Sequence, residues 1–193
     1  MPVNVAIGGA EAERPGADEF APYYARYIDL VPEDPIKMRL SAQQRDFSAL
    51  LKSLDESIGE HAYAPGKWTV NEVVGHLSDT ERVFAHRALR FARGDATELP
   101  GFDENLYVPA GRFGDRSLQS LADEWMTVRN ATLALFAALP DDAWLRRGTA
   151  NGQPVSVRGL AWIIAGHELH HRTLLHERYG IEPLRTTRKR SRE

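Results

Sequence analysis

Residues 165–180 read AGHELHHRTLLHERYG, and their centre, His167-Glu168-Leu169-His170-His171, is a literal H-E-x-x-H. On a helix, His167 and His171 stand one turn apart and can share a divalent ion, with the glutamate between them as a base. That is the arrangement of zinc metalloproteases. Two histidines, however, need a third protein ligand. The metzincin spacing asks for Gly at 174 and His at 177, where the chain has Leu174 and Glu177. The gluzincin form needs a glutamate on a second, downstream helix. Beyond His171 the chain offers Glu177, Glu182 and Glu193 and no further helical pattern. Nor is there a sheet to receive a peptide as an added strand. The protease reading is therefore set aside.

The third ligand is better sought upstream. His76, in VVGHLSDTER, sits at the flank of an apolar helical stripe. His86 projects away from that stripe, His61 falls in a loop, and His176 points away from the stripe of its own helix. His170 lies at the border, either a rim group beside the ligands or a ligand itself. A trio of neutral histidines, His76, His167 and His171, leaves an ion its full charge and open positions, as catalytic rather than structural sites do. Such an ion lowers the pKa of bound water toward about 7 and ionises a thiol in the same way. The chain has no cysteine, so any thiol comes from a bound cofactor or substrate. Imidazoles alone do not choose between Zn, Ni, Fe and Mn.

Two charges stand where apolar residues belong. Glu81 lies among Val74, Leu77 and Phe84, and Arg129 among Trp125, Val128 and Thr132. Buried charges pair. Two readings are open: a Glu81–Arg129 ion pair across the core, or a catalytic pair in which Arg129 anchors an anionic substrate and Glu81 transfers protons near the metal. Glu168 is about 100° off the histidine stripe, which favours a supporting or surface place over that of general base. Asp79 projects outward, and Asp103 and Glu104 lie in a long connection that could cover the site.

Four helical patterns must position these groups. The first, about 33–58, carries Ile36, Leu40, Phe47, Leu51, Leu54 and Ile58 at three- and four-residue spacing, with Gly59 as its stop. The second opens on a capping box, Thr69 with Glu72 three residues on, and runs to Gly94. The third spans about 117–139 before Pro140, and the fourth about 156–179 before Gly180. Residues 95–116 are too long for a tight turn between antiparallel neighbours and suit a crossover. Asn151-Gly152, between short β-compatible pieces, signals a small hairpin before the fourth helix. The fold class is all-α, a four-helix bundle over 33–180, preceded by an irregular lead-in at 1–32 and followed by a tail at 181–193.

The segments KWTVNEVVGHLSDTERVFAHRALRFARGD (67–95), LPGFDENLY (99–107), GTANGQPVSV (148–157) and AGHELHHRTLLHERYG (165–180) resemble the DinB-like, damage-inducible/YfiT-like metal-binding four-helix bundles. The resemblance covers about residues 35–180. It implies an up-down-down-up bundle, a divalent metal on one histidine of the second helix and two of the fourth (here His76, His167 and His171), and in many members a homodimer. It also implies a choice of activities: transfer or isomerisation with a low-molecular-weight thiol cofactor, or hydrolysis of a small-molecule substrate. The rival is a metal-binding stress-response protein without turnover that acts through an interaction surface.

Composition narrows the setting. The first twenty residues lack the charged and apolar regions of a secretory signal, and no apolar run is long enough to span a bilayer, so a cytoplasmic protein is expected. Residues 185–193 hold five Arg or Lys and one Glu, a charge of +4 within a net −3, which leaves −7 on the rest. A basic tail on an acidic body could touch nucleic acid, but a solvated terminus is the simpler reading.

Overall fold

Pro35 stands at the N-cap of the first long helix, which sets the frame of the bundle. The computed structural model describes residues 13–184, so the basic tail lies outside the described residues. Six helices occur in it: α1 (Ala25–Ile28), α2 (Ile36–Ser53), α3 (Val70–Ala92), α4 (Glu104–Gly111), α5 (Leu118–Ala137) and α6 (Val157–Tyr179). The bundle is α2, α3, α5 and α6, with α3 and α2 each packed against both α5 and α6. No helix among the described residues is long and apolar enough to cross a membrane.

The boundaries reflect local chemistry. Thr69 accepts from the Glu72 amide at 3.2 Å while the Glu72 carboxylate accepts from the Thr69 amide at 2.7 Å, the expected capping box. Ser117 and Ser156 cap α5 and α6 by accepting from amides three residues on. Helix α2 stops at Ser53, short of the expected Ile58. Leu54 is extended, Asp55 caps a separate 3-10 turn at Glu56–Glu60, and the Glu56 carboxylate accepts from the Leu118 and Gln119 amides at the start of α5. The expected hairpin is present as β1 (Arg147–Ala150) and β2 (Gln153–Ser156), antiparallel, with Arg147 opposite Ser156. Its turn residues Asn151 and Gly152 have φ of 53° and 69°, the pair of positive values that a tight two-residue hairpin turn requires.

Residues 17–28, expected as irregular, form two 3-10 turns and α1. Tyr27, Ile28 and Val31 are buried there, and α1 packs on α6. The approach is close because position 166 is glycine; a Cβ there would overlap the Tyr27 carbonyl. The connection at 95–116 is likewise not structureless, since it contains α4 and a β-bridge from Leu99 to Ala150.

The apolar core falls into two clusters. One gathers Ile36, Leu40, Phe84, Phe91, Phe136 and Trp162, the other Phe47, Val74, Leu77, Leu121, Trp125 and Leu175. Between them, each helix of the bundle carries buried polar residues: Gln43 on α2, Thr80 and Glu81 on α3, Arg129 and Thr132 on α5, and His167, Glu168 and His171 on α6. A polar belt therefore crosses the bundle at mid-height, and the candidate chemistry lies in it.

Candidate functional site

His76 comes from α3, and His167 and His171 from successive turns of α6; all three are 7% exposed. Their Nε2 atoms converge. His76 Nε2 and His171 Nε2 each stand 3.1 Å from His167 Nε2. A ring nitrogen offers one proton or one lone pair, so His167 Nε2 cannot satisfy both neighbours by hydrogen bonding. Three nitrogens about 2.0–2.1 Å from a single tetrahedral ion stand about 3.3 Å apart, close to this spacing. One ligand atom from each residue lies within 4.8 Å of the others, and no other such group of three occurs among the described residues.

Burial keeps the rings neutral, the form that binds metal. It presses His76 down to about 4, and His167 and His171 fall well below the usual imidazole range, for burial first and then for the neighbouring imidazoles. The rings are held from outside. Thr80 Oγ1 lies 3.4 Å from His76 Nδ1, within reach to accept from an Nδ1–H tautomer, the form that leaves Nε2 its lone pair. The Trp68 ring lies 4.9 Å from that of His76, and the Tyr27 ring meets His167 and His170 edge-on at 5.4 and 5.3 Å. His170 is only partly buried and touches Tyr27 and His171, a rim place. His61 and His86 are exposed.

A cavity of about 520 Å³ opens on this cluster, within the range of small-molecule sites. His76 and His167 form one part of its wall, Thr80, Phe84 and Arg87 continue it along α3, and Tyr24 and Tyr27 close it from the lead-in. Phe102 and Glu104 come from the long connection, which thus contributes to the cavity wall. Asp103 instead caps α4 by accepting from the Asn105 amide. Tyr24, Tyr27 and Arg87 escaped the sequence reading. Their signals were the YYARY cluster and the spacing of Arg87 from His76, eleven residues or three turns along one face.

Glu81 and Arg129 meet in a two-pronged ion pair, with Arg129 Nε to Glu81 Oε1 at 2.7 Å and Nη2 to Oε2 at 2.8 Å. The remaining Nη1 donates to the Leu40 carbonyl and to Gln43 Oε1, both at 3.3 Å, and Gln43 Nε2 donates to the Ala165 carbonyl at 2.9 Å. The network ties all four helices of the bundle together. Neither Glu81 nor Arg129 lines the cavity, so of the two roles open to them the geometry favours the core ion pair over a catalytic one.

Glu168 is not at the surface. It is 1% exposed, because every residue from Val157 through Glu168 is buried. Arg172 Nε stands 3.3 Å from its Oε1, yet neither oxygen has an aligned hydrogen bond. Burial outweighs the attraction of Arg172 and Arg129 and pushes the carboxyl up to about 7. Asp79 is half-buried and pairs with Arg82 at 3.3 Å.

Comparison with known proteins agrees with this fold. Among solved structures, YfiT from Bacillus subtilis, described as a probable metal-dependent hydrolase with an unusual four-helix bundle topology, superposes with a TM-score of 0.65 at 17% identity over 88% of this chain and 95% of its own. The mycothiol-dependent maleylpyruvate isomerase gives 0.60 at 16% identity over 76% of this chain and 61% of its own. A DinB-like protein, YjoA of Bacillus subtilis, gives 0.53 at 19% identity over 72% and 85%. No curated protein sequence matches the chain. The family model of the DinB superfamily matches residues 39–175, and the chain belongs to that superfamily.

Proposed function

We propose that His76, His167 and His171 hold one divalent metal ion and that the chain is a metal-dependent enzyme acting on a small substrate in the adjoining cavity. The observation that carries this reading is the convergence of three buried, neutral imidazole nitrogens on a single point. When bound, an ion in such a site lowers the pKa of a water or thiol and so supplies a nucleophile near neutral pH. The residues do the rest. Thr80 fixes the His76 tautomer, Trp68 and Tyr27 hold the rings in place, and the aromatic walls displace water from a substrate. The roomy cavity, with Thr80, Asn151 and Gln153 on its walls, supports turnover over a purely structural metal.

The relatives are described as a probable metal-dependent hydrolase and as a thiol-dependent isomerase, which supports water or a small thiol as the activated group. Since the chain has no cysteine, the thiol would be a separate low-molecular-weight molecule. A homodimer belongs to the same proposal and is read by sedimentation velocity. The direct test is elemental analysis of protein purified under identical conditions. Wild type carries one equivalent of a divalent metal, and His76→Ala and His167→Ala each carry much less. Wild-type metal content in both variants would refute the assignment. A screen for adducts with several low-molecular-weight thiols then separates thiol transfer from hydrolysis.

A further inference from the structure

Arg87 is a buried cation that the metal chemistry leaves unused. It is 4% exposed, on the same face of α3 as His76 and Thr80, and it forms part of the cavity wall. Its Nη2 donates to the Pro100 carbonyl at 2.7 Å, and its guanidinium lies 5.5 and 5.9 Å from the Phe84 and Phe102 rings. The Tyr24 hydroxyl, a neutral group, lies beside it on the cavity wall. Among the described residues no carboxylate is in ion-pair contact with Arg87, in contrast to the buried Arg129 and Arg158, which pair with Glu81 and Glu19. A buried guanidinium that faces a cavity and has no carboxylate in ion-pair contact is held ready for an anion from outside.

We propose that Arg87 is an anion subsite that selects substrates carrying a single carboxylate at the end remote from the reacting group. The eleven residues from His76 to Arg87 rise about 16 Å along α3. A ligand with its reacting group at the histidines and its carboxylate at Arg87 therefore has an elongated body. Phe84, Phe102, Tyr24 and Tyr27 flank that path with aromatic surface. Glu104 stands on the same wall and makes a doubly charged phosphate a poorer fit than one carboxylate. The fork of Arg87 also matches a planar carboxylate. This inference rests on the proposed function for the placing of the reacting end.

The test measures binding of straight-chain alkanoates, from butanoate to decanoate, and of the alcohols of equal length, by calorimetry on the full chain. The variants are Arg87→Gln, Arg87→Lys and His167→Ala, and their metal content is read separately. One alkanoate length is expected to bind wild type at least about tenfold more tightly than its alcohol. Arg87→Gln abolishes that preference, Arg87→Lys keeps part of it, and His167→Ala keeps it whole. A preference lost in His167→Ala but retained in Arg87→Gln would place the carboxylate at the histidines and overturn the subsite. Equal binding of alkanoates and alcohols to wild type would overturn it as well, even if Arg87→Gln failed to fold. Should the Arg87-dependent preference hold while wild type carries no metal, the metal reading falls and the subsite stands.

Discussion

Replacing Glu168 with glutamine should make the protein more stable, and the gain should depend on pH in a defined direction. The carboxyl is buried without an aligned donor, and its pKa rises from an ordinary 4.5 to about 7. The folded state therefore holds this proton more tightly than the unfolded state. Below pH 4.5 both states are protonated and the group costs nothing. As pH rises toward 7 the unfolded chain releases the proton while the folded chain retains it, so stability falls. Above 7 the penalty is complete. A shift of two to three units corresponds to about 3 kcal/mol, at 1.36 kcal/mol per unit. The depressed histidines act in the opposite sense, losing stability as pH falls below about 6.5, but they are common to both proteins and cancel in the difference. The assay is urea denaturation of wild type and Glu168→Gln, both freed of metal by a chelator, at half-unit steps from pH 4.5 to 8. The stability of Glu168→Gln relative to wild type should climb by about 3 kcal/mol between pH 4.5 and 7 and then level off. Parallel curves would refute the reasoning, because a Glu168 fully paired with Arg172 or Arg129 would keep an ordinary pKa.

The packing sets three other outcomes. Arg129→Met alone strands the Glu81 carboxylate in the core and should cost about 3–5 kcal/mol in chemical denaturation, whereas adding Glu81→Leu should recover most of it. Gly166→Ala forces α1 away from α6 and should cost about 1–3 kcal/mol, seen as a lower Tm, while Ala161→Gly on the same helix should cost only about 1 kcal/mol plus its lost contacts. Thr80→Val removes the oxygen beside His76 Nδ1 and should weaken metal retention about 10- to 100-fold in a chelator competition, with the melting of metal-free protein little changed.

The sequence disclosed the parts of this molecule that depend on local periodicity. His167 and His171 could be placed because four-residue spacing on an apolar stripe admits one geometry. The Thr69–Glu72 box is likewise a contact across one turn. Of the two places left open for Glu168, supporting or surface, burial removes the surface one, for an instructive reason. The stripe rule assumes that one face of a helix meets water, and α6 is surrounded over its first three turns, so a residue off the stripe is buried as well. Tyr24 and Tyr27 were missed because 3-10 turns and a four-residue helix carry no period, and their places depend on partners far along the chain, as with Glu19 and Arg158, 139 residues apart. The ion pair of Glu81 and Arg129 could be suspected from two misplaced charges, but its exclusion from the cavity is a property of three dimensions alone.

The spacing of the three histidines along the chain also sets when their site can come into being during synthesis. His76 precedes His167 by 91 residues. At about 5–20 residues per second, His76 leaves the ribosome several seconds or more ahead of its partners. Until α6 is made, the growing chain owns one imidazole of the trio and lacks the surface on which Tyr27 rests. If the trio holds an ion as proposed, a nascent chain in that state would bind it only weakly, and metal capture would come late, with the docking of the last helix. On that proposal, metal content would report how many molecules in a preparation have docked their last helix.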